Sequence, residues 1–221
     1  MTDRPQRRDY LLGFLAVFSF CSLGLNLLFI FQLFHPSFWH DLRLSFLHPP
    51  AVSASDHQRG NPGAHVTIIE YSDFQCHFCR EMHETLRTAA DQGEIRWIFG
   101  NAPIISIHPK AFEAAVAAEC AGAQGRFWEY SDALFDAQGR LDSSSELEQE
   151  LMHLAVQSSA DQEKLRTCIH SGEFNALVNR QIADAEAIRI EATPTVFINN
   201  KRHRGMMSYD ELKPWLAPHA N

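Results

Sequence analysis

Two cysteines three positions apart, Cys76 and Cys79 in "EYSDFQCHFCREM", are the tightest constraint in this 221-residue chain. The residues leading to them, "HVTIIEYSD", are β-branched and aromatic between polar flanks, the pattern of a short buried strand. Those that follow place Met82, Leu86 and Ala89/Ala90 at helical spacing until Asp91 to Gly93 end the run. A strand therefore has to stop, and a helix has to start, at the first sulfur. A sulfur in that position faces unpaired backbone N–H groups and the positive end of the helix dipole, which favour thiolate over thiol. Cys76 is expected to be the nucleophile. Cys79, one turn deeper, is placed to attack a mixed disulfide formed on Cys76, the resolving step of thiol–disulfide exchange.

The spacing leaves rival readings open. A static disulfide between Cys76 and Cys79 would close a very short loop and constrain little chain. A metal site would use Cys76, Cys79 and His83, which fall at i, i+3 and i+7 on one helical face and suit zinc or copper. No second CxxC and no clustered histidine pair supplies the remaining ligands, so no metal is assigned. Two buried thiols that are close by accident complete the alternatives.

The compartment bears on the choice. Tyr10 to Phe34 is a run of 25 residues without a charge, roughly 37 Å as a helix and enough to span a bilayer. Arg4, Arg7 and Arg8 precede it, so the positive-inside bias keeps residues 1–9 in the cytoplasm and sends the remainder across. The run is too long for the apolar part of a cleaved signal, and the bulky "HPSFWHD" after it offers no small-residue cleavage site. Cys21, behind Phe18 and Phe20, reads as a small apolar side chain within the span. Residues 35–60, with prolines, Ser and His, read as an extracytoplasmic tether. Residues 61–221 are long enough for one well-buried domain. They carry 14 basic against 23 acidic side chains, a net of −9 with histidine neutral, which argues against nucleic acid as a partner.

Along that domain "EIRWIFGN" reads as a second strand. "HPKAFEAAVAAECAGAQ" opens a helix with Pro109 in its first turn, and "RFWEYSDALFDA", "SSELEQELMHLAV", "DQEKLRTCIH" and "FNALVNRQIADAEAI" supply more helices. "TPTVFINNKRH" returns to strand with "NNK" as a hairpin turn, and "SYDELKPWLA" closes with a short helix. The expectation is an α/β domain with a helical insertion over about residues 106–190.

"GNPGAHVTIIEYSDFQCHFCREM", "HPKAFEAAVAAECAGAQGRFWEYSDALF" and "IEATPTVFINNK" together resemble the DsbA-like thioredoxin-fold disulfide oxidoreductases, in particular membrane-anchored bacterial members, over about residues 61–217. The resemblance implies a thioredoxin fold with an inserted helical domain, Cys76 as the attacking thiol, and Pro194 in a cis peptide bond facing the disulfide. Thr193 ahead of such a proline could present its backbone to an extended substrate as an added strand. It also implies a buried acid behind the disulfide, at Glu70, whose raised pKa would suit it to exchange a proton with Cys79; a solvent-facing glutamate is the alternative. Many relatives have proline after the first cysteine and, in oxidases, histidine next; this chain has His77 and Phe78, read as substrate-contacting residues beside Cys76. Some relatives carry a second cysteine pair. Cys120 and Cys168 are expected to form a structural disulfide, which would contribute about 4 kcal/mol by closing their loop, with two buried thiols as the alternative.

The expected activity is a membrane-tethered thiol–disulfide oxidoreductase on the periplasmic face of a bacterial inner membrane, forming disulfides in exported proteins without a cofactor. A membrane redox partner, DsbB-like or equivalent, would reoxidise it. A reductase of the same fold, serving cytochrome maturation or repair, a copper- or zinc-binding module and a substrate-holding scaffold are the competing readings.

Overall fold

The computed structural model describes Pro49, Val52, residues 56–143 and residues 145–217. The expected N-terminus (1–9), anchor (10–34) and most of the tether (35–60) lie outside the described residues. Among those described, no helix is long and apolar enough to cross a membrane.

A mixed five-stranded sheet in the order β1-β3-β2-β4-β5 organises the domain. The strands are β1 (His57–Gly60), β2 (Val66–Ser72), β3 (Ile95–Asn101), β4 (Thr195–Ile198) and β5 (Lys201–Arg204). β2 is central. It pairs in parallel with β3 (Glu70 opposite Phe99) and antiparallel with β4 (Glu70 opposite Val196), so its backbone is hydrogen-bonded on both sides. Period-two alternation sends Val66, Ile68, Glu70 and Ser72 to one face and Thr67, Ile69 and Tyr71 to the other. β4 and β5 form a hairpin whose two linking residues, Asn199 and Asn200, both have positive φ (46° and 68°). Asparagine tolerates that geometry, and its twist matches the flanking strands. The charged "KRHR" of β5 lies at the sheet edge, where it discourages further strand addition.

The helices are α1 (His77–Asp91), α2 (Ala111–Gly122), α3 (Phe127–Asp136), α4 (Gln138–Ser143), α5 (Leu147–Gln157), α6 (Gln162–Ser171), α7 (Asn175–Ala187) and α8 (Tyr209–Leu216). α1 buries Cys79, Met82, His83, Leu86, Ala89 and Ala90 in the main core, which it shares with Val66, Ile68, Trp97 and Val196. On the opposite face Ala185 of α7, with Ile188 and Ile190 just beyond it, packs on Ile69, Tyr71 and Phe197. α7 thus covers the sheet, so only α2 to α6 make up the helical insertion that was expected to run to about residue 190. α6 starts on Asp161, whose side chain accepts from the Glu163 and Lys164 backbone N–H groups, and stops at Gly172 in the left-handed region. α8 starts with a reciprocal capping box between Ser208 and Glu211. A disulfide joins Cys120 of α2 to Cys168 of α6, with Cα atoms 5.9 Å apart.

Three expectations need correction. Residues 57–60 are the antiparallel edge strand β1, not tether: His57 stacks on Phe127 at 3.4 Å between centroids and meets Glu119 at 2.8 Å, while Gln58 accepts from Arg96. The strand ends on Gly60 at φ +90°, where an added Cβ would stand 2.3 Å from the Ile95 carbonyl oxygen. Pro109 precedes α2 instead of occupying its first turn, since the helix starts at Ala111 behind Lys110. The helix read from Ser144 starts at Leu147, and the unforeseen short α4 precedes it.

Candidate active site

The end of β2 delivers the chain into a loop held from several sides. Asp73, fully buried in its side chain, accepts from the Gln75 backbone N–H (2.8 Å) and the Ile104 N–H (2.7 Å), and its Oδ2 lies 2.8 Å from His108 Nδ1. Gln75 donates to Asp142 at 2.7 Å and accepts from the Lys110 N–H; Gln138 donates to the Phe74 carbonyl at 2.9 Å. The loop carrying the cysteines is therefore tied to the β3–α2 connection and to α4. Sequence reasoning missed Asp73, although an acid three residues before a helix-starting cysteine is a recognisable turn signal.

Cys76 is the N-cap of α1, in extended conformation, and its carbonyl accepts from Cys79 and Arg80. Both residues are buried, but Cys76 keeps 7% exposure against 0% for Cys79 and is the less enclosed of the two. Neither is in a disulfide here. The Cys76 pKa falls to about 6, chiefly because the Cys79 thiol donates to it, against the opposing effect of burial and with help from the Cys79 N–H, Thr193 and the Phe78 N–H. The Cys79 thiol is pushed well up, first by burial and then by its donation to Cys76 and by the charge on Cys76 and Glu70. The pair is split into one thiolate and one thiol.

Thr193 and Pro194 come from the other end of the domain, immediately before β4. Their peptide bond is cis, and the Thr193 carbonyl accepts from the Cys76 thiol at 3.3 Å. His77 and Phe78 sit beside Cys76 on the surface. The His77 ring bonds to Glu81 at 2.9 Å and lies 3.3 Å from Arg80, while Phe78 leaves 57% of its surface open. Thiolate stabilisation comes from Cys79, from the Thr193 side chain and from the Phe78 and Cys79 backbone N–H groups. Ile105 and Ile107, in the loop that Asp73 anchors, are exposed apolar residues as well.

Glu70 lies wholly inside the sheet face that α1 covers. Trp97 Nε1 donates to its Oε2 at 3.1 Å, while Oε1 is buried without a hydrogen-bond partner. Burial raises its pKa to about 8; Ser72 and Trp97 oppose the rise, and Cys76 adds to it. The carboxyl is thus neutral at pH 7 and can give up its proton just above that. His83, weighed with the cysteines as a ligand, turns away: its Nε2 meets Asp132 at 2.6 Å. Among the described residues no group of three His, Cys, Asp or Glu side chains is arranged to hold a metal ion. Cys120 and Cys168 are joined to each other, away from this pair, within the insertion.

The family model described as "Thioredoxin" matches residues 53–217. A Na(+)/H(+) antiporter NhaA 1 from Mycolicibacterium gilvum is 37% identical over 160 residues, which is 71% of this chain and 25% of the antiporter; the chain spans about a quarter of the length of the curated relatives it matches. Among solved structures, oxidised BdbD from Bacillus subtilis aligns with a TM-score of 0.66 at 22% identity, over 77% of this chain and 95% of that one. The thiol-disulfide exchange protein alpha-DsbA2 from Wolbachia pipientis aligns at 0.65 and 16% identity, over 74% and 87%.

Proposed function

The chain belongs to the thioredoxin family, and from that premise we propose that it is a thiol–disulfide oxidoreductase that forms disulfides in exported proteins. The observation that carries the reading is the split pair: Cys76, slightly exposed and with its pKa lowered to about 6, beside a fully buried Cys79 whose pKa is raised. A stabilised thiolate favours the dithiol over the disulfide, so the oxidised pair has a strong tendency to take electrons from other thiols.

In the forward cycle a substrate thiolate attacks Cys76 Sγ of the Cys76–Cys79 disulfide. The S–S bond breaks, a mixed disulfide forms on Cys76, and the Cys79 thiolate leaves and takes a proton from Glu70. A second substrate thiolate then attacks the substrate sulfur of the mixed disulfide and releases the Cys76 thiolate. Two electrons pass from the substrate dithiol to the pair, and a membrane redox partner removes them. An extended substrate would lie along Thr193 and Pro194, with Phe78 and His77 as further contacts. The apolar run 10–34 would hold the domain on the extracytoplasmic side of the membrane.

The test is trapping in cells. Cys79→Ser should accumulate mixed disulfides with exported proteins, because the sulfur that reverses the first attack is gone, whereas Cys76→Ser should accumulate few. Equal trapping by the two variants would count against the assigned roles.

A further inference from the structure

We infer that Trp97 is a positioning residue for the exchange chemistry: its indole N–H holds Oε2 of Glu70 and leaves Oε1 as the oxygen that trades a proton with Cys79. The inference rests on the proposed thiol–disulfide activity but reads out separately from it.

The geometry divides the carboxyl in two. Oε2 is committed to Trp97 Nε1 at 3.1 Å, and Oε1 is buried with no partner at hydrogen-bond geometry; the Ser72 hydroxyl, likewise unpaired by geometry, is the other donor that acts on the carboxyl. An indole N–H only donates, so it restricts the carboxyl's orientation and cannot itself carry the proton away. Trp97 is fully buried and has little room to move: its ring meets His83 edge-on at 5.0 Å and Trp128 at 4.5 Å between centroids. His83 is in turn held by Asp132, and the Trp128 indole donates to the Gln58 carbonyl at 3.0 Å. A chain of contacts thus runs from the half-buried carboxylate Asp132 through His83 and Trp97 to Glu70. Trp97 lies on β3 opposite Ile68 of β2, and Glu70 lies two residues on, so sheet register sets the reach.

Among the described residues, the groups acting on the carboxyl come from the elements packed around it. From α1 come the Cys76 and Cys79 sulfurs, from β2 the Ser72 hydroxyl, from β3 the Trp97 indole, and the residue paired with Glu70 on β4 is the apolar Val196. No cation is among them. A neutral donor stabilises the carboxylate less than an ammonium or guanidinium would, and it leaves the carboxyl protonated in the pH range where Cys79 needs a proton.

The experiment follows the Glu70 carboxyl by carbon NMR in the full-length dithiol protein as pH is raised, in wild type and in Trp97→Phe. Losing the donor should move the Glu70 midpoint upward by about one pH unit. The pH profile for reversal of a mixed disulfide with a model thiol, the step in which Cys79 attacks, should move the same way. Wild type gives a second measurement that does not depend on the variant folding: the Trp97 indole N–H resonance should titrate with the Glu70 midpoint and stop titrating in Glu70→Gln. An unmoved Glu70 midpoint in a folded Trp97→Phe, or an indole resonance indifferent to Glu70 ionisation, overturns the inference. Coupled titration of Trp97 and Glu70 in a protein that traps no mixed disulfides would instead overturn the activity and leave the pairing standing.

Discussion

The Cys76 thiol donates to the Thr193 carbonyl oxygen across 3.3 Å, although 117 positions separate the two residues. The contact exists because β2 and β4 are antiparallel neighbours, with Tyr71 opposite Thr195, so the end of one and the start of the other meet at the same edge of the sheet. A carbonyl accepts from the thiol form and gives nothing to the thiolate. Ionisation of Cys76 therefore exchanges the Thr193 carbonyl for the Cys79 thiol, the backbone N–H groups of Phe78 and Cys79 and the Thr193 side chain.

Titrating the dithiol protein by thiolate ultraviolet absorbance should give a first midpoint near 6. Cys79→Ala should raise it by about one unit or more, because the largest stabilising contribution is lost. His77→Ala should leave it in place. Because the folded pKa lies below the ordinary thiol value of 9.0, the thiolate's contribution to the dithiol form is complete above that value. It fades as pH falls toward 6. Relative to glutathione the pair should accordingly become a weaker oxidant as pH falls, measurable as the exchange equilibrium with glutathione at several pH values.

The strand–CxxC–helix junction was legible because its signals are local: a β-branched run, helical spacing after Cys76 and a polar stop. The Asn199–Asn200 hairpin was legible for the same reason. β1 was not, since "HQRG" has no apolar alternation and is held by remote partners, Phe127, Glu119 and Arg96. Trp97, Asp132 and Asp73 escaped notice alike. Trp97 and Asp132 acquire their roles from side chains at least 27 positions away, and sequence periodicity reports burial without reporting partners; Asp73 carried a local turn signal to Gln75, but its bond to the Ile104 N–H is remote. His83 shows the converse: its helical position beside Cys79 suggested a ligand, and only the tertiary contact with Asp132 gives it another use.

Glu70→Gln should stabilise the dithiol protein at neutral and alkaline pH. The folded carboxyl titrates at about 8 against an ordinary value of 4.5, so between those values the folded state holds a proton that the unfolded state has released. Stability conferred by that proton is full below 4.5 and is lost as pH rises to 8. At pH 7 the cost is on the order of 3 kcal/mol. Urea unfolding of both proteins at pH 5, 7 and 8 should show wild type losing stability against Glu70→Gln across the series; parallel curves would place Glu70 in a more solvated setting.

Replacing Cys120 and Cys168 together by alanine should lower unfolding stability by about 4 kcal/mol in the chain-entropy description, since the bridge closes a sequence separation of 48 residues. The cysteines at the active pair lie outside α2 and α6, so trapping by Cys79→Ser should persist in that background. Denaturant midpoints with and without reductant check the first part, and a non-reducing gel, on which the trapped adducts survive, checks the second.

Asp132 joins three parts of the domain: it accepts from His83 of α1 at 2.6 Å and from Arg59 of β1 at 3.1 Å while standing on α3. Burial would raise its pKa, yet the bond to His83 and the Arg59 charge win and hold it below the usual carboxylate range. Asp132→Ala should cost about 2 to 3 kcal/mol, because it strands a buried imidazole N–H as well as removing an ion pair. Asp132→Asn keeps an acceptor for His83 and should cost less. Burial also depresses the His83 pKa below 6.5, so the unfolded chain takes up that proton first and acid destabilises the fold as pH drops through 6.5. The carboxylate opposes that depression; without it His83 resists protonation further, and the acid-side loss should extend to lower pH in Asp132→Ala. Urea midpoints at pH 7 and pH 5 separate the two effects. A variant that loses stability at pH 7 with no added loss on the acid side would show the Arg59 pair, and not His83, to be what Asp132 holds.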